Sequence, residues 1–123
     1  MNNHKNQSKR VYIAGAYSAN NVLEVLRNIG RGEKLATEVF LKGYNAFVPW
    51  FDKEFIIHEP EANYTVEMFY KYSFAWLEVS DCILLVPGWQ NSKGTLAEIE
   101  FAKERGIPVF ETIIEMENYF NGQ

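Results

Sequence analysis

The chain has 123 residues, 47% of them hydrophobic, 15% aromatic and 23% charged, a composition that supports one compact domain and excludes wholesale disorder. Twelve Lys and Arg against sixteen Asp and Glu leave a net charge of −4, which excludes binding to a nucleic-acid polymer through a basic stripe. The single cysteine, Cys82, excludes a disulfide framework within the chain, and no apolar run approaches the ~20 residues a membrane-spanning helix needs.

Residues 1–10 read as a polar tail with no apolar stretch behind the positive charge, so no signal peptide is expected and a reduced, cytoplasmic protein is. The domain is expected over 11–123. Val11 to Gly15 is a β-branched and aromatic run closed by a glycine, which predicts the first strand. Val22 to Lys42 carries Val22, Leu26, Ile29, Ala36 and Phe40 near a 3.6 period and predicts the first helix, interrupted by Gly30 and Gly32 and stopped by Gly43. Tyr44 to Val48 predicts the second strand. Residues 49–63 read as one long connection, of a length that in small domains is often functional.

Tyr64 to Val79 predicts the second helix, with Val66, Phe69, Tyr70, Phe74 and Leu77 at helical spacing. Asp81 to Val86 is nearly continuous apolar sequence, as in a strand buried on both faces. A turn-rich loop, Pro87 to Gly94, leads to a third helix over Thr95 to Arg105, a short strand at Val109-Phe110 and a last helix over Thr112 to Phe120. Alternation of strands with helix-length crossovers predicts an α/β Rossmann-like or flavodoxin-like domain. Its parallel sheet would have four to five strands, ordered 2-1-3-4, with helices on both faces. Ligands in such sheets bind at the carboxyl ends of the strands where the order reverses. Here that crevice lies between the first and third strands, so the Gly15–Asn20 and Pro87–Gly94 loops converge on it.

Within Ser92-Lys93-Gly94-Thr95-Leu96-Ala97-Glu98, the expected first turn of the third helix holds Glu98, where the helix dipole favours an ionised carboxylate suited to nucleophilic attack. The same residues, Thr95-Leu96-Ala97-Glu98, also spell a capping box in which Glu98 only bonds backbone. The Gly15–Asn20 loop has neither Gly-x-Gly-x-x-Gly nor a Walker pattern. Its Tyr17, Ser18 and Asn20 suit a sugar or phosphate, or else Ser18 or Asn20 caps the first helix. Trp50, Phe51 and Trp89 offer aromatic faces for a nucleobase, or a lid or subunit interface. Asp52 follows the second strand at the ligand end, whereas Asp81 lies at the opposite end. His4 and His58 lack His-x-x-x-His spacing, Cys82 reads as inert core, and no metal or cofactor is expected.

Val11 to Ser18, Trp76 to Cys82 and Leu85 to Glu98, three segments in order, resemble the nucleoside 2-deoxyribosyltransferase family, which includes deoxynucleoside 5'-monophosphate N-glycosidases; the resemblance spans residues 11 to about 110. It implies a Rossmann-like domain that cleaves or transfers at the bond between a base and a (deoxy)ribose, through a glycosyl-enzyme intermediate on Glu98. The substrate-binding positions it implies are Gly15, Tyr17, Ser18, Trp50, Ser73, Pro87, Gly88, Trp89, Ser92, Gly94 and Thr95. Ser73 stands where the family places an aspartate, so either Asp52 or a tyrosine such as Tyr72 is expected to substitute, or the protein is slow, altered in substrate or inactive. Ser92 stands where the deoxynucleoside transferases carry an aspartate and the nucleotide N-glycosidases a serine, which favours a 5'-monophosphate. No arginine lies between Val11 and Leu26, where the nucleotide enzymes favour one. The implied partner is a small nucleoside or nucleotide, and the implied assembly a homodimer or larger, in keeping with the many aromatics of the second helix. The alternative is a non-catalytic nucleotide-binding or sensing domain of the same fold.

Overall fold

The computed structural model describes residues 8–122; the part of the expected tail over residues 1–7, with His4, lies outside them. In chain order the elements are β1 (Arg10–Ala14), α1 (Val22–Leu41), β2 (Asn45–Phe47), α2 (Lys53–His58), α3 (Val66–Glu78), β3 (Cys82–Leu85), α4 (Lys93–Glu104), β4 (Val109–Phe110) and α5 (Ile113–Asn121). Single turns of 3-10 helix precede α2, over Pro49–Asp52, and α4, over Trp89–Asn91. The sheet has four strands in the order β2-β1-β3-β4, and every pairing is parallel. This is an α/β Rossmann-like fold. The chain steps outward from β1 to β2, then returns to the other side of β1 to lay down β3 and β4.

Strand alternation sorts the core into two layers. Val11, Ile13, Cys82 and Leu84 point to one face and pack with Ile29 and Val39 of α1 and Met116 and Phe120 of α5. Tyr12, Ala14, Ile83 and Leu85 point to the other face and pack with Leu77 of α3 and Ala102 of α4. Both faces are therefore dry, which is why β1 and β3 carry unbroken apolar sequence. Each fully buried Val, Leu or Ile side chain contributes about 1.5–3 kcal/mol. Gly32 in α1 is explained by this packing: a Cβ there would come within 3 Å of the Trp50 ring, which sits at 3% exposure against the helix.

Several expected boundaries shift: Arg10, expected in the tail, opens β1, where its carbonyl accepts from the Asp81 amide, β2 narrows to Asn45–Phe47, and α3 begins at Val66 because Thr65 is its cap. Residues 49–63, read as an open connection, coil instead into the 3-10 turn and α2, because Pro49 presets helical φ at the first position and no glycine interrupts residues 50–59. The third helix of the sequence reading, α4, begins at Lys93 and not Thr95, because Ser92 is its N-cap and accepts from the Thr95 amide at 3.2 Å. The caps of α1, α3 and α5 are Asn21, Thr65 and Thr112, so neither Ser18 nor Asn20 caps α1.

Candidate active site

The order reversal between β1 and β3 opens a cavity of about 620 Å³ at their carboxyl ends, a volume suited to a small ligand. Three walls enclose it. The β1–α1 loop brings Gly15, Tyr17 and Ser18; the segment after β2 brings Trp50, Asp52 and Ile56; and α3 and α4 bring Phe69, Tyr70, Ser73, Ser92, Gly94, Thr95 and Glu98. Gly15 is required at the junction of the central strands, since a Cβ there would stand 2.6 Å from the Val86 Cβ.

Glu98 is 9% exposed and lies in the second turn of α4, one turn beyond the capping position. Its Oε2 accepts a short hydrogen bond from the Tyr12 hydroxyl, which rises from the middle of β1. Burial pushes the Glu98 carboxyl up to about 7; the Tyr12 hydrogen bond opposes that rise and the negative charge of Asp52 adds to it. The sequence expectation of a first-turn carboxylate held ionised by the helix dipole is thus corrected. Ser92 does the capping, and desolvation dominates over the dipole. Burial and the neighbouring Glu98 charge together raise the Tyr12 phenol well above its ordinary range, so it remains a donor; Ser73, beside the same phenol, acts in the opposite direction.

Asp52, at the end of the 3-10 turn, is half-buried, and its carboxyl is raised by burial against the lowering effect of Lys53. Its charge raises the phenols of Tyr17 and Tyr72 beyond what burial does. Ser92 Oγ accepts from Thr95 Oγ1 at 3.0 Å as well as from the amide, so both hydroxyls are fixed at the cavity wall. The β1–α1 loop is tied down from α1: Asn28 Nδ2 donates to the Tyr17 carbonyl at 3.2 Å, and Arg31 donates to Asn28 Oδ1.

Of the residues singled out in the sequence, Gly15, Tyr17, Ser18, Trp50, Asp52, Ser73, Ser92, Gly94, Thr95 and Glu98 meet around the cavity. Tyr72, Pro87, Gly88 and Trp89 do not line it. Helical geometry turns Ser73 and Tyr70 inward together, three residues apart, and leaves Tyr72 on the flank against Phe55, with ring centroids 5.4 Å apart. Pro87 and Gly88 form an exposed turn, and Trp89 packs onto the layer of Tyr12 and Leu85. Phe51 is exposed and meets Phe55 edge-on. Trp50 reaches the cavity as a buried core residue, which limits it to forming a wall.

Sequence reading missed Tyr12, hidden inside an apolar strand. The available signal was that a fully buried tyrosine needs a partner for its hydroxyl, and Glu98 is a polar residue on a helix covering that face. Ile56, Val66, Phe69 and Tyr70 were also missed as lining residues, since helical periodicity alone assigns such side chains to core. Among the described residues, no three His, Cys, Asp or Glu side chains gather as a metal site, and no helix is long and apolar enough to cross a membrane.

Residues 9–111 match DUF4406, a domain of unknown function, and the chain belongs to that family. No curated protein matches the chain.

Proposed function

We propose that the chain cleaves, or transfers at, the N-glycosidic bond of a (deoxy)nucleoside or its 5'-monophosphate, with Glu98 as the nucleophile, and that it is related to the nucleoside 2-deoxyribosyltransferases. The observation that carries this reading is a buried glutamate at the topological switch point, aligned by one tyrosine and bordering a cavity of small-ligand size. A Glu98 oxygen bonds C1' as the C1'–N bond breaks, and the electron pair of that bond leaves on the base nitrogen. Water or a second base then attacks C1' and the ester to Glu98 breaks, restoring the carboxylate. With a carboxyl near 7, about half of Glu98 is ionised at neutral pH, and burial makes that carboxylate a poorly solvated, reactive nucleophile.

The lining includes apolar residues that suit a base, Ile56, Val66 and Phe69, and polar groups that suit sugar hydroxyls or a 5'-phosphate, Ser18, Ser92 and Gly94. The same reading makes the protein a cytoplasmic homo-oligomer. Met68, Trp76 and Val79 leave an apolar surface on and just after α3 for such assembly, and light scattering at micromolar concentration tests it.

Incubation with each (deoxy)nucleoside and 5'-monophosphate, followed by chromatography for free base, tests the activity. Base release that Glu98→Ala abolishes supports the proposal. Tight binding with no release replaces it with the nucleotide-sensing alternative, and release only when a second base is added assigns transfer over hydrolysis.

A further inference from the structure

The charge of the leaving group decides what else this cavity must supply. A neutral base departs from C1' as an anion unless it gains a proton, whereas a base that already carries positive charge departs as a neutral heterocycle. We infer that the substrate is a nucleoside or nucleotide whose base is a cationic nitrogen heterocycle, as in an N-glycosylpyridinium. Two carboxyls and four aromatic rings line one cavity, and no arginine among the described residues lines it. The inference rests on the proposed function of Glu98.

Glu98 from α4 and Asp52 from the segment after β2 border the same space, and neither forms an ion pair among the described residues. Tyr17, Trp50, Phe69 and Tyr70 line it with them, and aromatic rings attract a flat cation through their negative faces. Nearby basic side chains are held elsewhere or lie in solvent. The Lys53 ammonium lies 3.4 Å from the Trp50 carbonyl and 3.6 Å from Glu54, and Arg31 donates to Asn28; neither lines the cavity. Among the described residues Lys93 is the one basic residue of the lining, and it is exposed at the start of α4, where solvent and salt screen it.

Charge also couples binding to reactivity. Burial is the main cause that lifts the Glu98 carboxyl to about 7, and the Asp52 charge adds to it. A neutral ligand that expels water raises that carboxyl further, so it favours the form that cannot attack. A cation does the opposite: it stabilises both carboxylates, and its arrival ionises the nucleophile. In the step itself, a Glu98 oxygen bonds C1', the C1'–N pair passes to the ring nitrogen and cancels its charge, and the neutral heterocycle leaves. Water then bonds C1', the Glu98–C1' bond breaks, and the proton of the water passes to solvent. Asp52 acts in this scheme as a fixed anion that holds the cation.

The test separates recognition from leaving-group reactivity with a matched pair that cannot be cleaved: ring-N-methylated nicotinamide, a pyridinium cation, and meta-toluamide, its uncharged isostere. Calorimetric titration of the full-length protein at pH 8 should show the cation binding at least about 10-fold more tightly. Between pH 6 and pH 8 the ionised fraction of a carboxyl near 7 rises from about a tenth to about nine-tenths. Affinity for the cation should therefore rise by up to about 10-fold over that range, while affinity for meta-toluamide does not, and Glu98→Gln should abolish the rise. Should that variant fail to fold, Asp52→Asn serves, with affinity for the cation alone expected to fall at least about 3-fold. Nicotinamide riboside should release nicotinamide, and Glu98→Ala should stop the release. Equal or tighter binding of meta-toluamide, cation affinity that is the same at both pH values, or cation affinity unchanged in Asp52→Asn overturns selection for a cationic base and leaves the Glu98 reading to be judged on neutral nucleosides. Selective cation binding with no cleavage of nicotinamide riboside or of any (deoxy)nucleoside, or release that survives Glu98→Ala, overturns the Glu98 reading beneath it.

Discussion

Glu98→Gln is the most informative single substitution, because its effect on stability requires no substrate. The Glu98 carboxyl is displaced from an ordinary 4.5 to about 7, chiefly by burial. The folded protein therefore holds this proton more tightly than the unfolded chain. The stability that proton confers is fully present below about pH 4.5 and is lost as pH rises through about 7. Two and a half decades at about 1.4 kcal/mol each come to about 3 kcal/mol of pH-dependent stability. Glutamine has nearly the same shape, still accepts from Tyr12 and cannot ionise. Urea denaturation of both proteins from pH 4 to pH 8 should show the parent losing about 3 kcal/mol more than the variant across that range. Comparing slopes with pH removes any constant packing difference and the contribution of every other carboxyl. Parallel curves, within about 0.5 kcal/mol throughout, would refute a desolvated Glu98 and with it the account of its reactivity.

Tyr12→Phe removes a hydrogen bond to a charged group, about 1.5–3 kcal/mol, and so moves the Glu98 ionisation equilibrium roughly ten- to a hundredfold toward the protonated form. Base release at pH 7 should fall roughly 5- to 50-fold and recover as pH rises toward 9, with the carboxyl carbon resonance of Glu98 titrating at correspondingly higher pH. Gly32→Ala and Gly30→Ala form a matched pair: the first drives a methyl into the Trp50 ring and should cost about 1–3 kcal/mol, while the second meets nothing within 4 Å and should gain up to about 1 kcal/mol in urea denaturation. Tyr44→Phe should raise stability by about 1 kcal/mol in the same assay, since the buried Tyr44 hydroxyl has no hydrogen-bond partner among the described residues.

The fold was legible because its signals are local and redundant. The apolar runs at Val11 and Ile83, the 3.6 period from Val22 and the terminators around residues 43 and 106 each point to one element, and parallel alternation leaves few topologies. The site was legible to the extent that topology alone brings the loops after β1 and β3 together, which put Gly15, Tyr17, Ser18, Ser92 and Glu98 in one place. What escaped depends on three-dimensional neighbours. Thr95-x-x-Glu98 is the capping box the sequence spells, yet α4 begins one turn earlier with Ser92 as its cap, a boundary that the local pattern does not reveal. Tyr12 looks like any strand aromatic until α4 lays Glu98 across it. Trp50 looks like a loop aromatic until it is seen seated on Gly32, an arrangement between residues 18 positions apart that no local pattern announces.

These placements remove the helix-cap reading of Glu98 and support, as a proposal, its role as the reacting group. A carboxylate kept for capping would sit at the helix entrance, solvated, and bonded to backbone amides. Glu98 does none of these. Ser92 holds the cap, and Glu98 lies a turn deeper, nine-tenths out of water, beside a second carboxyl that makes its ionisation harder still. As a pure packing element it would be inferior to glutamine, which fills the same space, accepts the same Tyr12 hydrogen bond and carries no charge to desolvate. A buried carboxyl that is costly to ionise, where an uncharged near-isostere would carry no such cost, fits the proposed chemistry that uses the charge. Glu98 borders a cavity of about 620 Å³, where the proposed chemistry would place that charge against a small ligand.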